Sequence, residues 1–326
     1  MPRPRTILVT GGCGFIGSHL CAALAARGDR LRVLDDLSTG KMAHLLPGST
    51  LFRGDIADPD TLARAMDGVD ACFHLAAIAS VERAARDWLG THRTNLSGTI
   101  AVFDAARAAA TVRGAPVPVI YASSAAVYGN AQDLPIEEST TPRPLSAYGA
   151  DKLGCELHAL VAGHVHGVPT VGLRFFNVFG PRQDPASPYS GVISIFCDRI
   201  RRGQPVTIFG DGGQTRDFIH VRDVVAALVA ALPNAACAAP VFNVCSGNAC
   251  SIAELLEMVG SICRVRPDVH LAPPRQGEIR DSLGSPVRAR AALGLPPTLS
   301  VEEGLRDLLD SLGGGQATTA QGEGVR

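Results

Sequence analysis

A chain of 326 residues with 46% apolar and 19% charged side chains can bury a large core, which excludes wholesale disorder. A formal net charge of −1 excludes a general basic field for nucleic acid or anionic membrane. The longest apolar run covers nine residues, 224–232, well short of the ~20 that span a bilayer.

Only Ile7-Leu8-Val9 precedes the first glycines, so no secretory signal is visible. Nine cysteines stand singly with no Cys-x-x-Cys, and the histidines show no His-Glu-x-x-His. That predicts reduced, mostly buried thiols in a cytoplasmic chain and no metal site.

In chain order, residues 6–10 read as a buried strand, 18–26 as a helix and 32–34 as a strand. A helix over 61–66 and a strand over 71–75 follow, then an Ala-rich helix over 98–110 and a strand over 117–122. Strands alternating with helices at this spacing predict a parallel sheet covered on both faces. After about residue 175, prolines at 181, 185, 188 and 205 and the Gly210–Gly213 turn cluster change the texture. Helices are expected over 221–232 and 252–259, within a smaller, loop-rich part.

Gly11-x-x-Gly14-x-x-Gly17 directly follows the first strand and opens the first helix. Such glycines allow a tight turn and a close backbone approach to a pyrophosphate, and the helix N-terminus supplies N–H donors. Asp35 stands 18 residues after Gly17, at the end of the second strand. A carboxylate there hydrogen-bonds a ribose diol and repels a 2′-phosphate, so NAD is expected rather than NADP.

Tyr148 and Lys152, four residues apart at a predicted helix start, share one helix face. A phenol is a weak base until nearby cations favour the phenolate, and an ammonium and an oxidised nicotinamide both do so. Upstream, Tyr121-Ala122-Ser123-Ser124 reads as a strand ending in two hydroxyls. It ends at the carboxyl edge of the sheet, where ligands bind in such folds.

With these three motifs the chain resembles, from about Thr6 to Leu312, the extended short-chain dehydrogenase/reductase superfamily, and within it the UDP-hexose (UDP-galactose) 4-epimerases. The resemblance implies an α/β fold, a Rossmann-like doubly wound parallel sheet with a smaller α/β substrate-binding C-terminal domain. Residues 1–175 plus about 215–245 would form the NAD-binding domain. Residues from about 176 to 214 plus 246–312 would bind nucleotide sugar, and 313–326 would be a disordered tail. It also implies tightly held NAD and the catalytic residues Ser124, Tyr148 and Lys152. Gly11, Gly14, Phe15, Ile16, Gly17, Asp35, Asp55, Ile56, Ala76, Ala77 and Asn95 would bind the cofactor with Tyr148 and Lys152.

On the substrate side the resemblance assigns Asn177, Arg216 and Arg275 to the diphosphate, suited to it because guanidinium forks match phosphate oxygens. Glu278, where relatives carry Asp, would contact ribose or uracil. Ser282 stands where members limited to plain hexoses typically carry a bulky Tyr; a small residue leaves room for an acetamido group. Dehydrating and decarboxylating relatives usually carry acids just after the catalytic hydroxyl; here Ala125-Ala126 cannot shuttle a proton.

The function expected is 4-epimerisation of a UDP-hexose, plain and N-acetylated, by a cytoplasmic homodimer; the resemblance implies pairing through the helices over 98–110 and 151–161, whose small residues equally fit ordinary helix–sheet packing. The alternatives are another nucleotide-sugar epimerase or decarboxylase, as for a UDP-uronic acid, and a silent NAD-sensing Rossmann protein. Trp88 is expected in packing and His158, His164 and His166 on the surface or at an interface.

Overall fold

The computed structural model describes residues 4–185, 191–274 and 279–313. Of the expected tail over 313–326, Gly313 ends the last helix; the rest of it and the substrate residues Arg275 and Glu278 lie outside the described residues.

The chain opens with strand β1 (Thr6–Thr10), helix α1 (Phe15–Ala26), β2 (Arg30–Asp35) and β3 (Thr50–Arg53). Then come α2 (Pro59–Met66), β4 (Ala71–His74), α3 (Val81–Arg86), α4 (Trp88–His92), α5 (Gly98–Arg113) and β5 (Val119–Ser124). Helix α6 (Ala147–His166), β6 (Thr170–Phe175), β7 (Asn177–Phe179), α7 (Val192–Arg201), β8 (Val206–Phe209) and β9 (Thr215–His220) follow. The remainder is α8 (Val221–Ala231), β10 (Val241–Val244), β11 (Ala249–Ser251), α9 (Ile252–Cys263), β12 (Val269–Ala272), α10 (Val287–Leu293) and α11 (Val301–Gly313).

Seven strands form one sheet in the order β10-β6-β5-β4-β1-β2-β3, and every pairing in it is parallel. The connections wind outward in both directions from β1, so the order reverses between β1 and β4. The crevice at their carboxyl ends is the ligand position of a doubly wound sheet. One apolar core joins α1 and α8 to the sheet, and a second joins α2, α5 and α6 to the other face. The alternating strands and helices read from the sequence therefore stand, with the sheet covered on both sides.

Beside this sheet lie a three-stranded sheet, β11-β9-β7, and a two-stranded one, β12-β8. A third core packs α7, α9 and α11 against them.

Boundaries moved where capping decides them. Helix α1 starts at Phe15, directly after its N-cap Gly14, and not at residue 18. Helix α5 runs on to Arg113 and stops at Gly114, whose φ of 71° ends it left-handed. Strand β3 had no clear apolar run, since Leu51 and Phe52 are flanked by Thr50 and Arg53. Trp88 is 70% exposed at the start of α4, which corrects its expected packing role. That side chain belongs to none of the three cores. Seven of the cysteines are buried, and all are free thiols.

Candidate active site

The glycine turn is shaped by backbone approach. Gly11 has a φ of +71°, and a Cβ there would lie 2.8 Å from the Ala76 amide nitrogen. A Cβ on Gly17 would lie 2.1 Å from the Gly11 carbonyl oxygen. These glycines let α1 start against the end of β1, beside the segment 75–77 that follows β4. Gly14 caps α1 without a side-chain acceptor, which leaves first-turn N–H groups facing the crevice. Phe15 and Ile16 are half-buried in that turn.

Asp35 ends β2 with its carboxylate turned back to the glycine turn. Its oxygens accept from the amides of Cys13 and Leu37, each at 2.9 Å. Burial raises its pKa, while those two bonds oppose the shift. Each oxygen keeps a lone pair for a ribose hydroxyl. Asp55 follows β3, accepting from the Ala57 amide at 2.9 Å. Ile56 packs on α5, where a Cβ on Gly98 would come within 2.6 Å of its Cδ1. This cradle fits a dinucleotide: close backbone, first-turn amides and a carboxylate at the end of the second strand.

A buried relay holds the segment after β4. Thr10 Oγ1 accepts from the amides of Leu75 and Ala76, both at 3.2 Å, and bonds His74 Nδ1 at 2.7 Å. Thr99 Oγ1 donates to the Asn95 carbonyl at 2.6 Å, so it accepts from His74 Nε2 at 2.9 Å. The network thus assigns His74 as neutral, with its proton on Nε2 and Thr10 donating to Nδ1. Asn95 sits in a widened helical turn, Arg93–Ser97, and its amide bonds both the N–H and C=O of Ile78 at 2.8 and 3.1 Å.

Burial, aided by the Lys152 charge, lowers the His74 pKa from 6.5 to about 3. Between these values the unfolded chain binds the extra proton. Stability from this group is therefore complete above pH 6.5 and is lost as the pH falls toward 3. Burial of His220, lowered to about 4, acts in the same direction. The unfolding free energy from denaturant titrations should fall between pH 6.5 and 4 by up to ~1.4 kcal/mol per pH unit per histidine. His74→Gln should flatten that slope; an unchanged slope would contradict the assignment.

Ser124 ends β5, and its Oγ accepts from the Ala126 amide at 3.2 Å. Helix α6 begins just before Tyr148, its Ser146 cap accepting from Gly149 at 3.0 Å. A Cβ on Gly149 would lie 2.5 Å from the Ala126 carbonyl oxygen, so α6 starts against the turn that follows Ser124. Lys152 is buried, and its Nζ donates to the Ala122 carbonyl at 2.9 Å and lies 5.9 Å from the Tyr148 ring centroid. Ser124, Tyr148 and Lys152 thus stand on adjoining segments at the carboxyl edge of the sheet.

Asn177, Arg216 and Ser282 lie on adjoining segments. Asn177 pairs with Phe218 across β7 and β9, and its Nδ2 donates to the Asp217 carbonyl at 3.2 Å. Arg216 is half-buried, with Nη1 donating to the carbonyl of Thr215 at 2.7 Å. The Ser282 amide donates to the Thr215 carbonyl at 3.2 Å. Asp217 went unnoticed in the sequence, yet it is fully buried. It accepts from the amides of Ser246, Gly247 and Gly284, which ties the 282–284 segment to β9. Thr10, His74 and Thr99 were also missed; only a histidine at the end of an apolar strand marked them.

A doubly wound sheet with this glycine turn and carboxylate, and a Ser–Tyr–Lys group at its mouth, defines a dinucleotide-dependent α/β enzyme. The chain belongs to the NAD dependent epimerase/dehydratase family, whose pattern matches residues 7–245, and NAD is its cofactor. It is 36% identical to the UDP-glucose 4-epimerase of Mycolicibacterium smegmatis over 91% of this chain and 95% of that protein. The Thermus thermophilus UDP-glucose 4-epimerase, solved with NAD, superposes with a TM-score of 0.88 at 36% identity, covering 95% of this chain and 99% of that one. The UDP-N-acetylglucosamine 4-epimerase of Methanobrevibacter ruminantium, solved with UDP-N-acetylmuramic acid, gives 0.89 at 34% identity, covering 96% and 99%.

Proposed function

We propose that the protein interconverts UDP-hexoses at C4, plain and N-acetylated, using Ser124, Tyr148 and Lys152. The observation that carries this reading is the Ser124–Tyr148–Lys152 group beside the NAD cradle, with Ala125 and Ala126 in the turn where elimination would need an acid. Gly11, Gly14, Phe15, Ile16, Gly17, Asp35, Asp55, Ile56, Ala76, Ala77 and Asn95 would hold the cofactor. Bound NAD supplies the acceptor, and then the donor, of the hydrogen at sugar C4.

Tyr148, as phenolate sustained by Lys152, takes the proton from sugar O4, and Ser124 aligns that oxygen by a hydrogen bond. Arg216 and Asn177 hold the diphosphate, and Arg275 and Glu278 belong to the same proposal by resemblance. The 4-keto sugar turns about that fixed anchor and presents its other face, and Tyr148 returns the proton. Holding the diphosphate makes the second half-reaction intramolecular. Ser282 leaves room at C2 for an acetamido group.

The test is an epimerisation assay by NMR with UDP-glucose and UDP-N-acetylglucosamine side by side, without added NAD. Turnover of both is expected. Turnover of UDP-glucose alone would overturn the role of Ser282, and turnover of neither, with NAD supplied, would overturn the reading.

The same proposal includes a homodimer. Leu157, Leu160, Val161 and Val165 on α6, Val112 on α5 and Leu89 on α4 are exposed apolar side chains in the single chain, a face that a second copy would cover. Sedimentation should give twice the chain mass, and Leu160→Glu should shift it toward monomer. Among the described residues no helix is long and apolar enough to cross a membrane, and the free thiols support a reducing, cytoplasmic setting.

A further inference from the structure

Beneath the Ser–Tyr–Lys group lies a buried polar network that the proposed chemistry does not use. Arg174, in β6, donates from Nε to Glu156 Oε1 at 2.8 Å and from Nη2 to Oε2 at 2.6 Å. Its Nη1 donates to the Tyr128 hydroxyl at 2.7 Å, and the guanidinium stands 4.7 Å from the Tyr128 ring centroid. The Ser123 hydroxyl donates to Glu156 Oε1 at 2.5 Å. Tyr128 donates onward to Asn243 Oδ1 at 2.6 Å, whose Nδ2 donates to the Ile136 carbonyl at 3.0 Å. All five side chains belong to buried residues.

The two elements that carry the reacting groups, α6 and β5, each supply a member, and so do the turn after Ser124 and the strand before Asn177. Glu156 lies one helical turn beyond Lys152 on α6 and so shares its face. Ser123 is the neighbour of Ser124 on β5. Tyr128 closes the turn that follows Ser124. Arg174 stands on the strand that leads directly into Asn177. A buried ion pair adds little net stability compared with apolar side chains of the same volume. It does impose direction: a two-pronged guanidinium–carboxylate contact fixes both distance and angle, which aliphatic packing does not.

We propose that the Glu156–Arg174 pair, with Ser123 and Tyr128, is a positioning device that sets Ser124 against the Tyr148–Lys152 face. The inference rests on the reading of those three residues as catalytic. Its members are bonded to one another and are not among the residues proposed to hold sugar or cofactor, so their loss should spare binding and slow the chemical step.

The test compares the unmodified enzyme with Tyr128→Phe, Arg174→Lys and the double variant Glu156→Gln/Arg174→Met. Thermal midpoint, bound NAD per chain, KM and kcat for UDP-glucose are measured on each. Folded variants should keep NAD and a nearly unchanged KM, with kcat lowered about 10- to 100-fold, the effect of sub-ångström to ångström misplacement. Arg174→Lys keeps the charge and loses the fork, so a fall in its kcat assigns the effect to geometry. Full kcat in folded Arg174→Lys and in the double variant would overturn the proposal. Should the Arg174 variants fail to fold, Tyr128→Phe decides: it keeps the ring and removes only the two hydroxyl contacts, and an unchanged kcat overturns the proposal. Inactivity of the unmodified enzyme toward every UDP-hexose would instead overturn the catalytic reading, and this inference with it.

Discussion

Tyr148→Phe is expected to lower turnover by about 10²- to 10⁴-fold, the range for losing a positioned general base, while the purified protein still contains NAD. The substitution removes one oxygen. The ring stays at the first turn of α6, where the Ser146 cap and the contact of Gly149 with Ala126 fix the helix start. Lys152 keeps its bond to Ala122 at 2.9 Å, so the ammonium stays in place without a phenolate to stabilise. Binding of UDP-sugar, measured by calorimetry, should persist, since Asn177 and Arg216, proposed to hold the diphosphate, lie apart from α6 on β7 and β9. A near-normal rate in this variant would place the base elsewhere.

Gly17→Ala should produce protein without bound NAD and with a lowered thermal midpoint. A Cβ at position 17 would stand 2.1 Å from the Gly11 carbonyl oxygen and 2.9 Å from Gly12 Cα. Both obstacles are backbone, so no side chain can turn away; the glycine turn itself must open. Relief by backbone shift costs ~1–3 kcal/mol in a packed region, and here it moves the amides that would face the pyrophosphate. Two controls grade the effect. At Gly14 a Cβ would lie 3.2 Å from the same carbonyl, so Gly14→Ala should weaken cofactor retention less. At Gly28, with φ of +83° and open space around it, Gly28→Ala should cost only backbone strain of ~1–2 kcal/mol and leave NAD bound. Full NAD content in Gly17→Ala would show that the turn tolerates opening.

The sequence carried those parts of the fold that short-range rules govern. The glycines at 11, 14 and 17 and the carboxylate at 35 announced a cofactor turn because each answers to a local steric or polar demand. Tyr148 and Lys152 were legible because helical spacing puts them on one face. The buried polar partners were not. Arg174 lies between Leu173 and Phe175 in a strand buried throughout, and its partner Glu156 is 18 residues away on a helix. No local pattern joins the two, since the pairing exists only once β6 and α6 pack. Asp217 is similar: its amide donors come from residues 246, 247 and 284, far along the chain. Trp88 shows the opposite limit, since an aromatic residue suggests burial and nothing near it in sequence reveals exposure.

The pairing of β10 with β6 orders events during synthesis. Chains fold from the N-terminus as they leave the ribosome, so β6 can join β5 well before residues 241–244 have been made. Meanwhile residues 176–240 supply β7, α7, β8, β9 and α8, while β11 and β12, which complete the neighbouring sheets, come later still. Through that interval β6 is the outermost strand, and all six of its residues, Thr170–Phe175, are of the kind the finished protein buries. An open apolar edge is a template for pairing with another chain. The longer the stretch up to β10 takes to be made and folded, the longer that edge stays open, so chaperone cover during synthesis should favour soluble protein over aggregates.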